Sequence, residues 1–368
     1  ARDLKRFLCI VALFLAPVLL FVALFAGAVY ASGEWHTEEE IAAKVAAGEP
    51  AFLGLAYRDN TRYYKHLVAN ALGADLLVLG TSRSMQFHSE FFTTDSFYNA
   101  GGGAGYVNEF QYFLEQLDED KLPSTLIMVL DQNFFNGAWV GTGSMPEFFD
   151  YNHYEFSMRS ALPQAIRDWA QGKFTLRAAY GSHPDVYGMA AVGRGSGYNA
   201  DGSYNYGTLL DHPETGTDVG FHDTFDRILK GIDRFEYGEY VHEPSTYTIE
   251  SLLAWCNDHD IEVVLIVPPY APSVYERMAE SGNYGYFDWI MPILTELCEP
   301  YGYEVYDFSY MPDTLDEEYV DGYHGSDRVY ARLALHLAAE SETLAGLIDT
   351  EYLNAALAPS SSPLRLAQ

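Results

Sequence analysis

Residues 7–31 form an apolar run of 25 residues that contains no charged side chain. As a helix with a rise of about 1.5 Å per residue, this run extends roughly 37 Å, which is enough to cross a hydrocarbon core about 30 Å thick. Pro17 interrupts the run, but membrane-spanning helices tolerate a proline. The sequence therefore predicts a transmembrane anchor within residues 1–32, and we expect the rest of the chain to fold outside the bilayer.

Charged residues flank this run asymmetrically. Basic residues precede it and acidic residues follow it: Arg2, Lys5 and Arg6 on one side, and Glu34, Glu38, Glu39 and Glu40 on the other. By the positive-inside rule, the N-terminus is expected in the cytoplasm and the remainder of the chain outside it. A cleaved signal peptide is the alternative, but its apolar region spans only about 7–15 residues. The pattern favours an uncleaved, single-pass anchor in the cell membrane.

The charge of the chain excludes one class of partner. The sequence has 52 acidic and 21 basic residues, and its net charge is −31. Such a chain repels nucleic acid, because it lacks the cations that would replace the counterions of a phosphate backbone. We expect no nucleic-acid binding, and the acidity itself suits solubility or a salty habitat.

Cysteine and histidine positions predict no metal site. Cys256 and Cys298 lie in apolar helical contexts, where they could form a disulfide or remain buried thiols. Several histidines are scattered without the spacing of metal ligands: His183, His212, His222 and His242. We therefore expect neither a structural metal nor a metal-dependent reaction.

Short apolar runs and helical patterns alternate along the chain. The runs predict strands buried on both faces, at residues 75–80, 126–130, 261–267 and, more weakly, 304–308. Helical patterns lie at residues 37–73, 107–116, 248–259 and 286–301. This alternation predicts an α/β fold with a parallel sheet, and such sheets place their functional sites at the carboxyl ends of the strands.

Residues 140–245 interrupt the alternation. They are rich in Gly, Tyr, Asn, Asp and His, and only residues 163–171 and 222–235 have helical patterns. A long irregular segment inside a compact domain is typical of a lid or a binding surface. We expect an insertion over the active face of one ectodomain at residues 33–357, followed by a disordered tail at residues 358–368.

One candidate nucleophile follows the first predicted strand. Gly80, Thr81 and Ser82 come directly after the apolar run at residues 75–79. A serine at the end of a strand and the start of a helix exposes its Oγ, and its backbone N–H can face a developing oxyanion. Capping of the following helix would account for the same serine without catalysis.

A candidate base and acid occur together far downstream. Asp321 and His324 lie three residues apart in a predicted loop that precedes an apolar helical pattern. The imidazole can take the proton of a serine, while the carboxylate holds the imidazole in the correct tautomer and stabilises its charged form. Together with Ser82, this pair predicts a catalytic triad.

Three motifs now carry a resemblance to a known family. Residues 80–83 (GTSR), 99–103 (NAGGG) and 321–324 (DGYH) resemble motifs of the SGNH/GDSL hydrolase superfamily. The most similar branch is that of the membrane-anchored cell-envelope proteins, which includes the alginate O-acetylation proteins and the D-alanine transfer protein of teichoic acid synthesis. The resemblance covers residues 60–135 and 255–345, and it implies a flavodoxin-like three-layer α/β/α sandwich.

The resemblance also implies roles for individual residues. Ser82 corresponds to the nucleophile, His324 to the base and Asp321 to the orienting acid. In this family an oxyanion hole is formed by the backbone N–H of the nucleophile, by a glycine of the second motif and by an asparagine after the next strand. These positions correspond to Ser82, Gly101 and Asn133. Gly102 and Gly103 are close alternatives to Gly101.

Two positions depart from the family pattern. Thr81 stands where the signature has an aspartate, and the Gly-x-Asn-Asp motif that normally supplies the asparagine is absent around Asn133. The resemblance nevertheless implies a serine esterase or O-acyltransferase without a cofactor. Its substrate would be an envelope glycopolymer, and its partner a membrane-bound O-acyltransferase. A non-catalytic carbohydrate-binding or assembly subunit with the same fold is the alternative.

Overall fold

The computed structural model describes residues 2–140 and 153–367, so residues 141–152 of the predicted insertion lie outside the described residues. Its helices are, in chain order, α1 (Arg2–Ala31), α2 (Glu38–Ala46), α3 (Thr61–Leu72), α4 (Val107–Glu115), α5 (Gly137–Val140), α6 (Met158–Ala170), α7 (Leu176–Ala179), α8 (Met189–Arg194), α9 (His222–Lys230), α10 (Glu243–Asp258), α11 (Pro272–Ser281), α12 (Phe287–Cys298), α13 (Asp327–Glu340) and α14 (Thr350–Ala356). Its strands are β1 (Phe52–Leu53), β2 (Leu76–Gly80), β3 (Phe97–Gly101), β4 (Thr125–Val129), β5 (Val186–Tyr187), β6 (Ser196–Tyr198), β7 (Tyr204–Tyr206), β8 (Glu262–Val267) and β9 (Glu304–Asp307).

These elements form two compact units. The first comprises Ala1–Asn60, His153–Asn199 and Asn205–Gly207, and the second comprises Thr61–Asn152, Ala200–Tyr204 and Thr208–Gln368. The sequence instead predicts one ectodomain from residue 33 with a single insertion. The difference arises because residues 153–199 pack with the N-terminal segment, whereas residues 208–245 belong to the second unit, where α9 packs against α11.

The second unit is built on a parallel sheet of five strands in the order β3-β2-β4-β8-β9. Every residue of β2 and β3 is buried, and so are the last five of β8. Because successive strand residues face opposite sides of a sheet, helices must cover both faces. The strand order reverses at β2, between β3 and β4, and this is the point at which open α/β sheets bind ligands.

Strands β2, β4, β8 and β9 lie where the apolar runs predict them, and α4, α10 and α12 match the helical patterns between them. Strand β3 is not predicted, because Phe97–Gly101 is not an aliphatic run.

The C-terminal tail also differs from its prediction of disorder. Leu364 is only 1% exposed, and the guanidinium of Arg328 donates hydrogen bonds to the carbonyl oxygens of Leu357, Ala358 and Arg365.

The first unit contains the long apolar helix α1, which is long and apolar enough to cross a membrane. One face of its last two turns is buried, although Tyr30 is 60% exposed. Phe25, Ala28 and Val29 are at most 1% exposed, and they pack in a core cluster with Ala161 and Ala165 of α6. Residues 153–199 are thus largely structured, with helices α6 to α8 and short strands in place of the long irregular segment that the sequence predicts.

All three cysteines lie among the described residues, and none of them forms a disulfide. Cys256 and Cys298 are buried, and burial raises the pKa of each thiol to about 12. In a variant with the exposed Cys9 replaced by serine, we expect no reaction with a thiol reagent at neutral pH while the protein is folded. Unfolding in denaturant without a reductant should then release two reactive thiols, counted by absorbance. A count of zero would mean that the two cysteines pair.

Candidate active site

The candidate nucleophile stands at the carboxyl end of the central strand β2. The strand ends at Gly80, and Thr81 caps the short 3-10 helix Ser82–Ser84 by accepting a hydrogen bond from the Arg83 N–H at 3.1 Å. Ser82 itself is partly exposed, whereas Arg83 and Ser84 are buried. The turn therefore leaves Ser82 partly accessible at the point where the strand order reverses.

Ser82, His324 and Asp321 form a hydrogen-bonded chain, although 242 residues separate the serine from the histidine. The Oγ of Ser82 is 2.8 Å from Nε2 of His324, and Nδ1 of the same ring is 2.8 Å from Oδ2 of Asp321. With the Nδ1 proton directed to Asp321, Nε2 is the acceptor for the serine proton. This is the geometry that a serine nucleophile and its base require.

The carboxylate of Asp321 is held in its ionised form. Burial would raise the pKa of this carboxyl, but His324 and the backbone N–H groups of Tyr323 and His324 outweigh burial and hold its pKa below the usual value. Oδ1 accepts both N–H groups, at 3.0 and 2.9 Å, which leaves Oδ2 for the imidazole. One oxygen therefore shapes the loop while the other orients the base.

The loop of His324 is a tight, well-bonded turn. The Val320 N–H donates to the His324 carbonyl oxygen, and Tyr319 and Gly325 form an antiparallel bridge. At Gly322 a Cβ atom would lie 2.5 Å from Cγ2 of the buried Thr224 of α9, so the close approach of these two elements requires glycine. Residues 208–245, predicted as part of a lid, thus support the loop that carries the base.

Arg83 joins the loops that surround the nucleophile. Its side chain is buried, and Nε donates to the carbonyl oxygen of Tyr323 at 3.0 Å. Nη1 donates to Oε1 of Gln132 at 2.6 Å, while Nη2 donates to the carbonyl oxygens of Pro268 and Pro269 at 3.0 and 2.7 Å. Sequence reasoning assigned Arg83 no role. A cation directly after a buried strand was the signal that could have identified it.

Asp131 lies beside the nucleophile but does not contact the base. It is fully buried, and Thr81 Oγ1 lies 3.2 and 3.0 Å from its two carboxylate oxygens. Two guanidinium groups approach it, with Nη1 of Arg83 at 3.9 Å and Nη1 of Arg234 at 3.5 Å. Thr81, at the position where the related signature has aspartate, thus binds a carboxylate supplied by the next strand of the sheet.

The three residues predicted for the oxyanion hole differ in their hydrogen bonding. The Ser82 N–H is the first of its short helix, a position without an acceptor inside the helix. Asn133 is 2% exposed, and its Nδ2 has no hydrogen-bond partner among the described residues. The Gly101 N–H, in contrast, donates to Oδ1 of Asn99 at 2.7 Å. This bond occupies the donor on which the predicted role of Gly101 depends.

The backbone N–H groups of the neighbouring glycines also donate hydrogen bonds within the protein. The Gly102 N–H donates to the carbonyl oxygens of Gly80 and Thr81 at 2.9 and 3.0 Å, and the Gly103 N–H donates to that of Ala100 at 2.8 Å. Gly102 has φ +84°, a left-handed conformation that glycine adopts at little cost. The second motif therefore shapes the turn beside Ser82. Of the predicted donors, Ser82 N–H and Asn133 Nδ2 have no hydrogen-bond partner among the described residues.

One group of metal-ligand side chains was missed by sequence reasoning. Ligand atoms of His88, Glu90 and Asp201 lie within 4.8 Å of one another, and Nε2 of His88 is 3.1 Å from Oδ1 of Asp327. Burial alone would lower the pKa of His88. The carboxylates of Asp327, Asp201 and Glu90, of which Asp327 has the largest effect, together outweigh burial and raise this pKa to about 9. A charged imidazole among three carboxylates accounts for this arrangement without an ion.

The comparisons with known proteins give no family for this chain: no protein-family model matches it, and no curated protein is significantly similar to it. The candidate site therefore rests on the geometry described above.

The depressed pKa of Asp321 predicts how stability depends on pH. A carboxyl whose pKa is lower in the folded state stabilises the protein fully above its unfolded pKa of about 3.9, and loses this contribution as the pH falls below that value. We expect Asp321→Asn to lower the free energy of unfolding most at neutral pH, with a difference from wild type that shrinks below about pH 4. Denaturant unfolding between pH 3 and pH 7 measures this, and a difference that stays constant with pH would contradict it.

Proposed function

We propose that the chain is a membrane-anchored serine esterase or O-acyltransferase of the SGNH type that acts on acyl esters of a cell-envelope polymer. The observation that carries the proposal is the chain of two 2.8 Å hydrogen bonds from Ser82 through His324 to Asp321. The strand order gives further support, because it is 2-1-3-4-5 among the five parallel strands, the order of flavodoxin-like folds. In such folds the switch point beside the first strand is where ligands bind, and here that strand leads to Ser82.

The reaction proceeds in two transfers through an acyl-enzyme. Ser82 Oγ attacks the carbonyl carbon of the acyl ester while Nε2 of His324 takes its proton, and the carbonyl oxygen becomes an oxyanion. The ester C–O bond then breaks, and His324 returns the proton to the leaving alcohol. Water or a sugar hydroxyl next gives its proton to His324 and attacks the acyl carbon, and the Ser82–acyl bond breaks as Oγ recovers its proton. Water makes the chain an esterase, and a hydroxyl makes it a transferase.

We infer that α1 is retained as an anchor with its N-terminus in the cytoplasm. Cleavage after the apolar run would remove Phe25, Ala28 and Val29 from the core of the first unit. Loss of buried side chains of this kind costs several kcal/mol, typically about 3–5 for a phenylalanine. The mature unit is thus built around the end of the helix. Such an anchor suits a partner in the same membrane, a membrane-bound O-acyltransferase that delivers the acyl group.

The envelope polymer is expected to be neutral or screened by cations. A chain of net charge −31 repels a bare polyanion, and this repulsion raises the cost of bringing a teichoic-acid-like or acidic polysaccharide backbone to the site.

A second candidate function is a non-catalytic subunit that binds carbohydrate in an acylation complex. The bond between the Gly101 N–H and Asn99 favours it, because this bond occupies one of the three donors predicted for an oxyanion. Removal of one such donor typically costs about 2.7–4 kcal/mol of barrier, so the site as described suits a slow enzyme or a binding protein.

Labelling by a fluorophosphonate distinguishes the two functions. The full chain in detergent or nanodiscs should be labelled at Ser82, because the reagent needs the activated Oγ that His324 provides. We expect Ser82→Ala to abolish labelling and His324→Ala to slow it by at least about a hundredfold, the lower range for loss of a general base. Mass spectrometry of the labelled peptide gives the position.

Ser89→Ala is the matched control, because Ser89 is a partly exposed serine at the next short helix and its Oγ donates to Glu90 instead of a histidine. It should be labelled like wild type. If the folded wild-type chain is not labelled, the binding subunit is the better description. For a labelled chain, acetyl ester turnover with and without an added oligosaccharide then separates hydrolysis from transfer.

Asn133→Ala tests the second free donor. We expect it to lower kcat for a small acyl ester by about 100- to 1,000-fold with little change in KM, because an oxyanion donor acts only on the transition state. The neighbouring Asn136→Ala is a control of the same residue type, since its amide Nδ2 donates to the Glu236 carbonyl oxygen instead. Equal effects of both substitutions, accompanied by equal losses of thermal stability, would argue for a structural role of Asn133.

A further inference from the structure

The exposure of α1 changes abruptly along its length. Apolar side chains from Leu4 to Leu24 are exposed on the helix, whereas Phe25, Ala28 and Val29 lie on a face of the helix end that the rest of the first unit covers. Residues 7–24 would extend about 27 Å, close to the thickness of a hydrocarbon core. If α1 spans the bilayer as proposed above, the outer edge of the hydrocarbon lies at the level of Leu24 and Phe25.

Residues 167–180 of the same unit lie at this level. The ring of Trp169, at the end of α6, is 5.2 Å from the ring of Phe25, and Tyr180 Oη donates to the Leu24 carbonyl oxygen at 2.6 Å. Both side chains remain exposed, at 41% and 48%. Amphipathic aromatic residues concentrate where hydrocarbon meets headgroups, because the ring body is apolar and its polar group needs a partner.

The charge of this segment is opposite to that of the chain. Residues 167–180 contain the exposed cations Arg167, Lys173 and Arg177, and one acidic residue, Asp168, whose Oδ1 is 2.8 Å from Lys173 Nζ. The segment therefore has a positive balance, in a chain whose net charge is −31. A local excess of cations at the level of the headgroups is complementary to anionic phospholipid.

We propose that residues 167–180 form a headgroup surface, which binds anionic phospholipids of the outer leaflet beside the anchor. Trp169 and Tyr180 enter the interface, and Arg167 and Arg177 bind lipid phosphates. Lys173 is already paired with Asp168, so it contributes less. The surface rests on the proposed membrane anchoring, but it is independent of the catalytic residues. It gives the ectodomain a second attachment, and this attachment fixes the first unit's rotation about the axis of α1.

The test uses the full chain in nanodiscs of phosphatidylcholine, alone or mixed with phosphatidylglycerol. Native mass spectrometry after release from the discs counts the phosphatidylglycerol molecules that stay bound. We expect wild type to retain phosphatidylglycerol in preference to phosphatidylcholine, with a preference that weakens as salt is raised. The double substitution Arg167→Gln with Arg177→Gln should reduce the preference by about fivefold for each cation removed.

The matched control is Arg159→Gln with Lys44→Gln, which removes two cations of the same unit from positions outside the headgroup surface. It should retain the wild-type preference. Equal retention of the two lipids by wild type, or equal losses in the two double variants, would overturn the proposal.

Quenching of Trp169 provides a second measurement that needs no loss of charge. The fluorescence of wild type minus that of Trp169→Phe isolates this residue among the five tryptophans. Lipids brominated near the glycerol end of the acyl chain should quench the difference signal strongly, and lipids brominated near the methyl end should not. No quenching by either lipid overturns the proposal.

Two further readouts keep this proposal apart from the proposed function. Release of the chain by alkaline carbonate would overturn the anchor and the headgroup surface together. Fluorophosphonate labelling of Ser82 in the same nanodiscs reports the catalytic proposal alone. We expect that labelling to be unchanged in both double variants.

Discussion

The buried guanidinium of Arg83 is the interaction on which the geometry of the candidate site depends. It donates to carbonyl oxygens of two separate loops, those that contain Pro268 and Tyr323, and to the amide of Gln132. A planar group with five donors in a fixed fork can bind these acceptors at once, whereas a lysine ammonium cannot. Burial would lower the pKa of Arg83, but Asp131 and three nearby tyrosines together outweigh burial and raise this pKa, so the group stays charged and the carbonyl oxygens stay bound.

The sequence predicted most of the sheet because β2, β4 and β8 are short aliphatic runs, a pattern typical of strands buried on both faces. Strand β9 was predicted more weakly, and its residues are only partly buried or exposed. Strand β3 was missed because it is not an aliphatic run: the polar Asn99 stands at its centre, and this side chain is buried with its amide fully hydrogen-bonded. The first unit was missed because its contacts join residues before 60 to residues after 153, and local patterns carry no such information.

The sequence predicted the part of the candidate site that depends on residue types and chain order. Ser82, Asp321 and His324 were identified because nucleophile, base and acid need particular side chains at particular strand ends, and the structure brings these three together. Two of the predicted donors to the oxyanion, at Ser82 and Gly101, are backbone N–H groups, and any residue except proline supplies one. Whether such a group is free depends on its neighbours, and for Gly101 the neighbour is a side-chain amide two residues earlier.

The separation of Ser82 from His324 by 242 residues has a consequence for the growing chain. A ribosome releases the serine long before it releases the base, and the long loop between them must close before the hydrogen bond can form. Until then the serine hydroxyl is as unreactive as any other. If the chain carries out the proposed acyl chemistry, an acyl donor met during synthesis cannot modify the partly made chain. Reactivity would then arise only with the completed fold, and the order of the chain itself would be a safeguard.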